Sequence, residues 1–299
     1  MHHTLCALCD TDRSDQQLYP EKLPAGALNG ETFSARRIPD RVHYRMVRCR
    51  DCGSVRSDPI LSDAELATLY SASRMTYSDE AVYAGETYAA YVSDCLAFIP
   101  TRGRLLEIGC GSGFFLERAL DLGFDEVYGV EPSRDAVERA SDRVKACIRN
   151  DTFRPGLYPD SFFDMICGFQ VFDHLAHPNQ ILQNCKLALK PGGLVLWVHH
   201  DLGAWTNRLL GEASPVIDVE HVYLFDRRTM TRILAKNGFD VLRVFGVRNR
   251  YPLRYWTSLA PLPTALKTRV LATLQRTRLG RVPISWNAGN FGILGRLQK

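Results

Sequence analysis

The run Leu105-Leu106-Glu107-Ile108-Gly109-Cys110-Gly111-Ser112-Gly113-Phe114-Phe115-Leu116 decides how this chain is read. Its apolar first half is a short buried strand, its glycines form a tight turn, and its last residues open a helix. Alternate glycines let the backbone approach a ligand with no Cβ in the way, and the next helix offers free N–H groups. A dinucleotide-binding turn wants its third glycine one position later, where helix and strand pack closely. Phe114 stands there, which argues against NAD or FAD. Glu107, at the strand end, would repel a pyrophosphate. It suits a ligand carrying a positive charge and an amino group.

Working outward, Tyr77 to Ile99 reads as an aromatic-rich helix ended by Pro100, and Gly103 leads into the strand. Downstream, Phe114 to Leu122 is a helix stopped at Gly123, and Glu126 to Pro132 a second strand ending in Glu131. A carboxylate about twenty residues past the glycines can accept both ribose hydroxyls of a nucleoside. Ser133 caps the next helix, and Ala146 to Arg149 is a short third strand running into Asn150, Asp151, Thr152 and Phe153. Phe162 to Gln170 is nearly continuous in apolar residues, as a central parallel strand requires. Gln170-Val171-Phe172-Asp173-His174-Leu175 follows at its C-terminal end, where open α/β sheets bind ligands. Ile181 to Leu189 is a helix stopped by Lys190-Pro191-Gly192-Gly193, and Leu194 to Val198 is the fifth strand, ending in His199, His200 and Asp201. A helix over Thr229 to Asn237, a sixth strand over Val241 to Val247 and a final antiparallel edge strand over Asn287 to Leu297 complete the order.

The E-x-G-C-G-x-G pattern resembles motif I of class I S-adenosylmethionine-dependent methyltransferases, and the F-D-x-I, x-D-H-L and L-K-P-G-G-L-x-L series resembles their later motifs, in order, over Gly103 to Val244. Asp173 stands where that family usually has Glu. The resemblance implies an α/β, Rossmann-like seven-stranded sheet. It also implies S-adenosylmethionine as cofactor, its methionine moiety cradled by Glu107, Gly109, Gly111 and Gly113, its ribose on Glu131 and its adenine amino group on Asp151, beside Thr152 and Phe153. Gln170 joins that cofactor set. By the same resemblance the helix over Tyr77 to Ile99 is a lid, from which Tyr77, Tyr83 or Tyr88 lines the site.

Cys6-x-x-Cys9 and Cys49-x-x-Cys52-Gly53 form a pair of knuckles about forty residues apart. Each supplies two thiolates from one turn, which is what a tetrahedral zinc ion needs, and four thiolates leave no position open for water. The ion is therefore expected to be structural, within a small β-rich ribbon, with His43 a surface residue rather than a ligand. The remaining five cysteines are scattered singly through apolar contexts. Such usage fits a reducing compartment, and no signal-peptide segment is read at the N-terminus, so a cytoplasmic enzyme is expected. Three regions result: residues 1–58 as the zinc ribbon, 59–102 as linker and helical lid, and 103–299 as the methyltransferase domain. A helix cap is expected at Ser62.

Transfer to an oxygen or an enolate carbon requires a proton to be removed, and His is the usual base. The choices are His174, His199, His200 and His221. His221 is preferred because Glu220 beside it could orient or polarise it. The zinc ribbon with the Glu-His pair resembles methyltransferases of deoxysugar and polysaccharide biosynthesis. That implies O-methylation of a sugar or related natural product, with C-methylation of a keto-deoxysugar nucleotide as the alternative. A zinc-ribbon RNA or protein methyltransferase is the third reading, but the ribbon segment lacks interleaved basic and aromatic residues and gives no strong nucleic-acid signal. The 299-residue chain has a formal net charge of +4. From Val241 onward there are eleven Lys or Arg and no acid, so the tail alone makes the protein basic. A basic amphipathic helix from about Thr264, with Leu266, Val270 and Leu274 on one face, suits a nucleotide- or lipid-linked acceptor or peripheral contact with a membrane.

Overall fold

The computed structural model describes residues 1–34, 41–75, 79–99, 101–260 and 262–298. Tyr77 and Pro100 lie outside the described residues. Three short strands open the chain: β1 (Asp15–Tyr19), β2 (Met46–Cys49) and β3 (Val55–Ser57). Arg56 is fully buried and donates to both carboxylate oxygens of Asp15, tying β3 to β1. Ser62 then caps α1 (Asp63–Ala72) with a full capping box, in which Glu65 returns a carboxylate oxygen to the Ser62 amide. α2 (Asp79–Cys95) follows.

The main sheet comes next, with β4 (Arg104–Ile108), α3 (Phe114–Asp121), β5 (Glu126–Val130), α4 (Arg134–Glu138), β6 (Ile148–Arg149), β7 (Phe163–Phe169), α5 (Pro178–Ala188) and β8 (Leu189–His200) in order. After it come α6 (Trp205–Leu210), β9 (Tyr223–Leu224), α7 (Arg227–Lys236), β10 (Phe239–Pro252), α8 (Leu253–Leu259), α9 (Thr264–Arg276) and β11 (Pro283–Leu297). Seven strands form one sheet in the order β10-β11-β8-β7-β4-β5-β6. Its five central and outer members run parallel, whereas β11 is antiparallel to both β8 and β10. The α/β, Rossmann-like fold is as expected. All seven residues of β7 are buried, as helices on both faces of a parallel sheet require.

Two details depart from the sequence reading. The last strand is interior rather than at the edge: β11 lies between β8 and β10, with Phe291, Ile293 and Leu294 wholly buried, and β10 is the edge. Lys190 to Gly193 does not stand outside the fifth strand. β8 begins at Leu189, paired with Phe163, and its register shifts before pairing resumes at Leu194 with Met165. The amphipathic helix expected from about Thr264 is α9, on which Leu274 is buried and Leu266 exposed.

The ribbon is not closed on itself. β1, β2 and β3 continue into β9, through the pairs Val55–Leu224 and Arg56–Tyr223. Tyr223 Oη also donates to Leu5 O at 2.7 Å, and Ser57 N–H donates to Val222 O at 2.8 Å. The N-terminal module is thus hydrogen-bonded to the segment that follows His221.

Candidate active site

At the end of β4 the chain turns through Gly109, Gly111 and Gly113, whose φ values of 71°, 54° and 74° lie in the left-handed region. Gly109 and Gly111 line a cavity of about 660 Å³ that runs along the C-terminal ends of the parallel strands. A Cβ on Gly109 would stand 2.7 Å from Val171 Cγ2. Gly113 is outside the lining. It is the N-cap of α3, packed where a Cβ would meet Val144 at 2.9 Å.

Glu107 is buried beneath this turn, and its Oε2 has no hydrogen-bond partner. Burial, then the nearby Glu131, pushes its carboxyl well above the usual carboxylate range. An orphaned acid facing a cavity is satisfied by a cation or a hydrogen-bond donor. Glu131 lies across the turn, where its oxygens accept the N–H groups of Gly111 at 2.9 Å and Ser133 at 2.8 Å. Each oxygen keeps a second lone pair for a hydroxyl. Asp151 lines the same end; it also accepts from its neighbours Thr152 N–H at 2.7 Å and Arg154 at 3.0 Å. Thr152 and Phe153 border the cavity with it. Gln170, at the end of β7, has a φ of 57° and a buried Oε1 with no partner. Backbone strain of this kind in a non-glycine residue concentrates at functional sites. From α2, Tyr88 lines the cavity and stacks on Phe169 at 4.2 Å between centroids, whereas Tyr83 does not reach it.

Beyond Gln170, His174, His200, Glu220 and His221 line the cavity, with Asp173 outside the lining beside them. Asp173, 1% exposed, has neither carboxylate oxygen hydrogen-bonded. His221 Nε2 is 3.7 Å from one of them and His174 Nε2 is 3.8 Å from the other. Burial would raise this carboxyl, but the surrounding imidazoles, His221 foremost, more than offset that and hold it well below its ordinary range. His221 Nδ1 lies 2.8 Å from Val216 O; a carbonyl only accepts, so Nδ1 carries the proton and Nε2 is the basic nitrogen. His174 packs edge-on against His221, receives Tyr70 Oη near Nδ1 at 3.3 Å, and is pushed down to about 3 by burial, which keeps it neutral. His200 also lines the cavity, its Nδ1 2.9 Å from Asn290 Oδ1. Glu220 is buried at the cavity wall. Asp173 stands at ion-pair distance from His221 Nε2, a partner that sequence reading passed over.

His199 is a base no longer. It is fully buried among Phe172, Phe225 and Phe291, away from the cavity, and burial pushes it down to about 4. His43 is likewise no surface residue: it is fully buried, donates Nδ1–H to Tyr44 O at 2.8 Å and lies 3.4 Å from Glu212.

Among the described residues, two donor sets could hold a metal ion. The Sγ atoms of Cys6, Cys9, Cys49 and Cys52 all lie within 4.8 Å of one another, with Cys6–Cys52 at 3.3 Å and Cys9–Cys49 at 3.9 Å. A tetrahedron with Zn–S bonds of about 2.3 Å has edges of about 3.8 Å, so the thiols fit that ion. Gly53, at φ 81°, closes the second knuckle. Asp173, His200 and His221 form the other set, with donor atoms inside the same limit.

This arrangement of a glycine turn, two acids and a cavity at the strand ends defines an S-adenosylmethionine-dependent methyltransferase of class I. A family model described as "Methyltransferase domain" matches residues 81–244, and the chain belongs to that family. Among curated relatives, an uncharacterised methyltransferase of Schizosaccharomyces pombe is 33% identical over 135 residues, covering 39% of this chain and 46% of its own. A ubiquinone biosynthesis O-methyltransferase of Nitrobacter winogradskyi is 33% identical over 106 residues, covering 34% and 39%. The chain thus spans less than half the length of these relatives. Among solved structures, a Haloferax volcanii complex with the Trm112 methyltransferase activator matches at a TM-score of 0.50. It is 18% identical, covering 74% of this chain and 98% of that one. A methyltransferase of Archaeoglobus fulgidus matches at 0.49, with 19% identity and 71% and 94% coverage.

Proposed function

We propose that this enzyme methylates a hydroxyl oxygen of a small-molecule acceptor, a sugar or related natural product, with His221 as the base. The observation that carries this reading is the Val216 carbonyl. By taking the Nδ1–H of His221 it leaves Nε2 unprotonated inside the cavity, with the Asp173 carboxylate placed to hold the imidazolium that forms. S-adenosylmethionine, bound along Glu107, Gly109, Gly111, Glu131, Asp151 and Gln170, would supply a methyl group already activated as a sulfonium. The acceptor hydroxyl would give its proton to His221 Nε2, freeing its oxygen to take that methyl group. Glu107, whose Oε2 is without a partner at the cavity wall, would receive the cofactor's ammonium. Glu220 and neutral His174 line the acceptor end as hydrogen-bonding wall. Relatives named as O-methyltransferases support oxygen as the atom modified.

The four ribbon cysteines hold a structural zinc ion in this reading. A reducing, cytoplasmic compartment keeps those thiols available for it. Transfer of a labelled methyl group from S-adenosylmethionine to a panel of hydroxyl-bearing glycosides and phenols, with the product located by mass spectrometry, tests the proposal. His221→Ala is expected to lose roughly a hundredfold or more in turnover while keeping cofactor affinity. Methyl found on carbon or nitrogen, or near-wild-type turnover by that variant, would sink it.

A further inference from the structure

The C-terminal lobe carries a surface that the transfer reaction does not use. α8, α9 and the paired tips of β10 and β11 are tied together: Leu253 N–H donates to Val282 O, Trp256 Nε1 to Ile284 O, and Lys267 Nζ to Ser258 O. Leu262, Leu266, Leu279, Val282, Ile284 and Trp286 of this lobe are all exposed. On α6, whose Thr206, Asn207 and Leu210 line the cavity, Trp205 and Leu209 are 68% and 78% exposed. α6 lies against β11, since a Cβ on Gly289 would touch Ala204 and Thr206 at 3.1 Å. Leu210, Trp256, Leu259 and Trp286 also line the cavity, which makes the apolar surface continuous with its mouth. Single exposed leucines are ordinary; a tryptophan-bearing cluster around a cavity mouth marks an interaction site.

Charge selects the partner. The segment from Val241 onward carries cations and no acid. Arg250 and Arg243 are spent on Glu86 at 3.1 Å and Asp94 at 4.0 Å, both on α2. Arg269, Arg276, Arg278 and Arg281 are exposed and enter no ion pair among the described residues. Anionic headgroups over an apolar interior match both features, and tryptophan favours that boundary. No helix among the described residues is long and apolar enough to cross a membrane.

We propose that this lobe and α6 seat the enzyme on an anionic lipid surface, with the cavity mouth facing the bilayer. An acceptor with a membrane-embedded apolar portion then enters the cavity directly from the lipid. The orientation rests on the reading of the cavity as the methyl-acceptor site, whereas vesicle binding is measurable without turnover.

Cosedimentation of the full chain with vesicles of phosphatidylcholine, alone or mixed with phosphatidylglycerol, tests the proposal. Binding is expected to the mixed vesicles and to weaken with salt. Arg276→Gln with Arg278→Gln should weaken it roughly thirtyfold. Trp205→Ser with Leu209→Ser should also lower it, and both pairs should keep wild-type S-adenosylmethionine affinity by calorimetry, which reports on the catalytic reading separately. No binding to mixed vesicles, or binding that both double variants retain, overturns the proposal. So does a clear preference for a mixed-sequence RNA over vesicles, which would give the surface to nucleic acid.

Discussion

Ser57 Oγ donates a hydrogen bond to the backbone carbonyl of His221 at 3.0 Å, joining the last residue of the ribbon's third strand to the proposed base. The next residue, Val222, accepts from Ser57 N–H and itself donates to Asp173 O at 2.8 Å. Ribbon, His221 and Asp173 are therefore one hydrogen-bonded unit. Ser57 is a positioning residue in this scheme, acting through the His221 backbone.

Ser57→Ala removes one buried hydrogen bond, about 1 kcal/mol of stability, and leaves the His221 carbonyl unsatisfied on that side. Turnover is expected to fall several-fold with little change in cofactor affinity, and Ser57→Thr to restore most of it. Equal falls in turnover for Ala and Thr would assign Ser57 to packing alone. Cys49→Ser should cost more. Loss of the proposed ribbon ion, read by metal analysis, should accompany lower turnover and a lower Tm, because β3 is the strand on which β9 is built.

Asp173→Asn separates catalysis from stability. Its carboxylate has no hydrogen bond, and the imidazoles beside it are neutral before the proton is taken, so the protein holds a buried charge with no hydrogen bond to it. Replacing it with the neutral isostere is expected to leave Tm unchanged or raise it, since desolvating a charge is costly. Turnover should nevertheless drop about a hundredfold, because the His221 imidazolium loses its counter-charge. An Asn variant at full turnover would show that His221 needs no carboxylate behind it.

How much of this site could be read from the chain depended on whether the signal was local. The glycine turn, Glu107, Glu131 and the Ser62 cap are local patterns, and the structure puts each where its pattern places it. Choosing among the histidines was not local. His199 and His200 alternate faces of β8, as strand neighbours must, but only the packing of Phe172, Phe225 and Phe291 shows which face is core. The pairing of β9 with the ribbon joins residues more than 160 apart and is carried by two residues, too few to show a period. Asp173 could have been found sooner: an acid preceding His174 at the end of a wholly buried strand had no structural need to be charged.

Glu107 gives the site a defined pH dependence. Its folded carboxyl titrates above the ordinary range of an unfolded one, so it contributes favourably when protonated at low pH. That contribution is lost as pH rises from the usual carboxylate value toward the raised one. Without cofactor, Glu107→Gln should therefore raise Tm at neutral pH. A cofactor ammonium favours the ionised form, so binding should release a proton and tighten as pH rises. Calorimetry in two buffers of different ionisation enthalpy measures that proton. The Gln variant should bind roughly ten- to a hundredfold more weakly, the range expected for a lost charged hydrogen bond. Unchanged affinity and no proton release would remove Glu107 from the cofactor site.

The Asp173, His200 and His221 donors make the acceptor end vulnerable to transition-metal ions. Their atoms lie within 4.8 Å of one another, and the 3.7 Å between Asp173 and His221 Nε2 is close to the donor spacing of about 3.4 Å that a tetrahedral ion with bonds of about 2.1 Å imposes. His221 Nδ1 is already fixed on Val216 O, and His200 Nδ1 lies beside Asn290 Oδ1, so each ring is held by one nitrogen. An ion there would occupy the nitrogen that must take the proton. Added Zn²⁺ should therefore inhibit methyl transfer in competition with the acceptor, leaving S-adenosylmethionine affinity at its metal-free value. His200→Ala should relieve that inhibition tenfold or more while retaining measurable turnover, since His200 is a ligand to the ion but not the base. Stimulation by the ion instead would mean that a metal-bound hydroxyl, rather than the free imidazole of His221, carries the reaction.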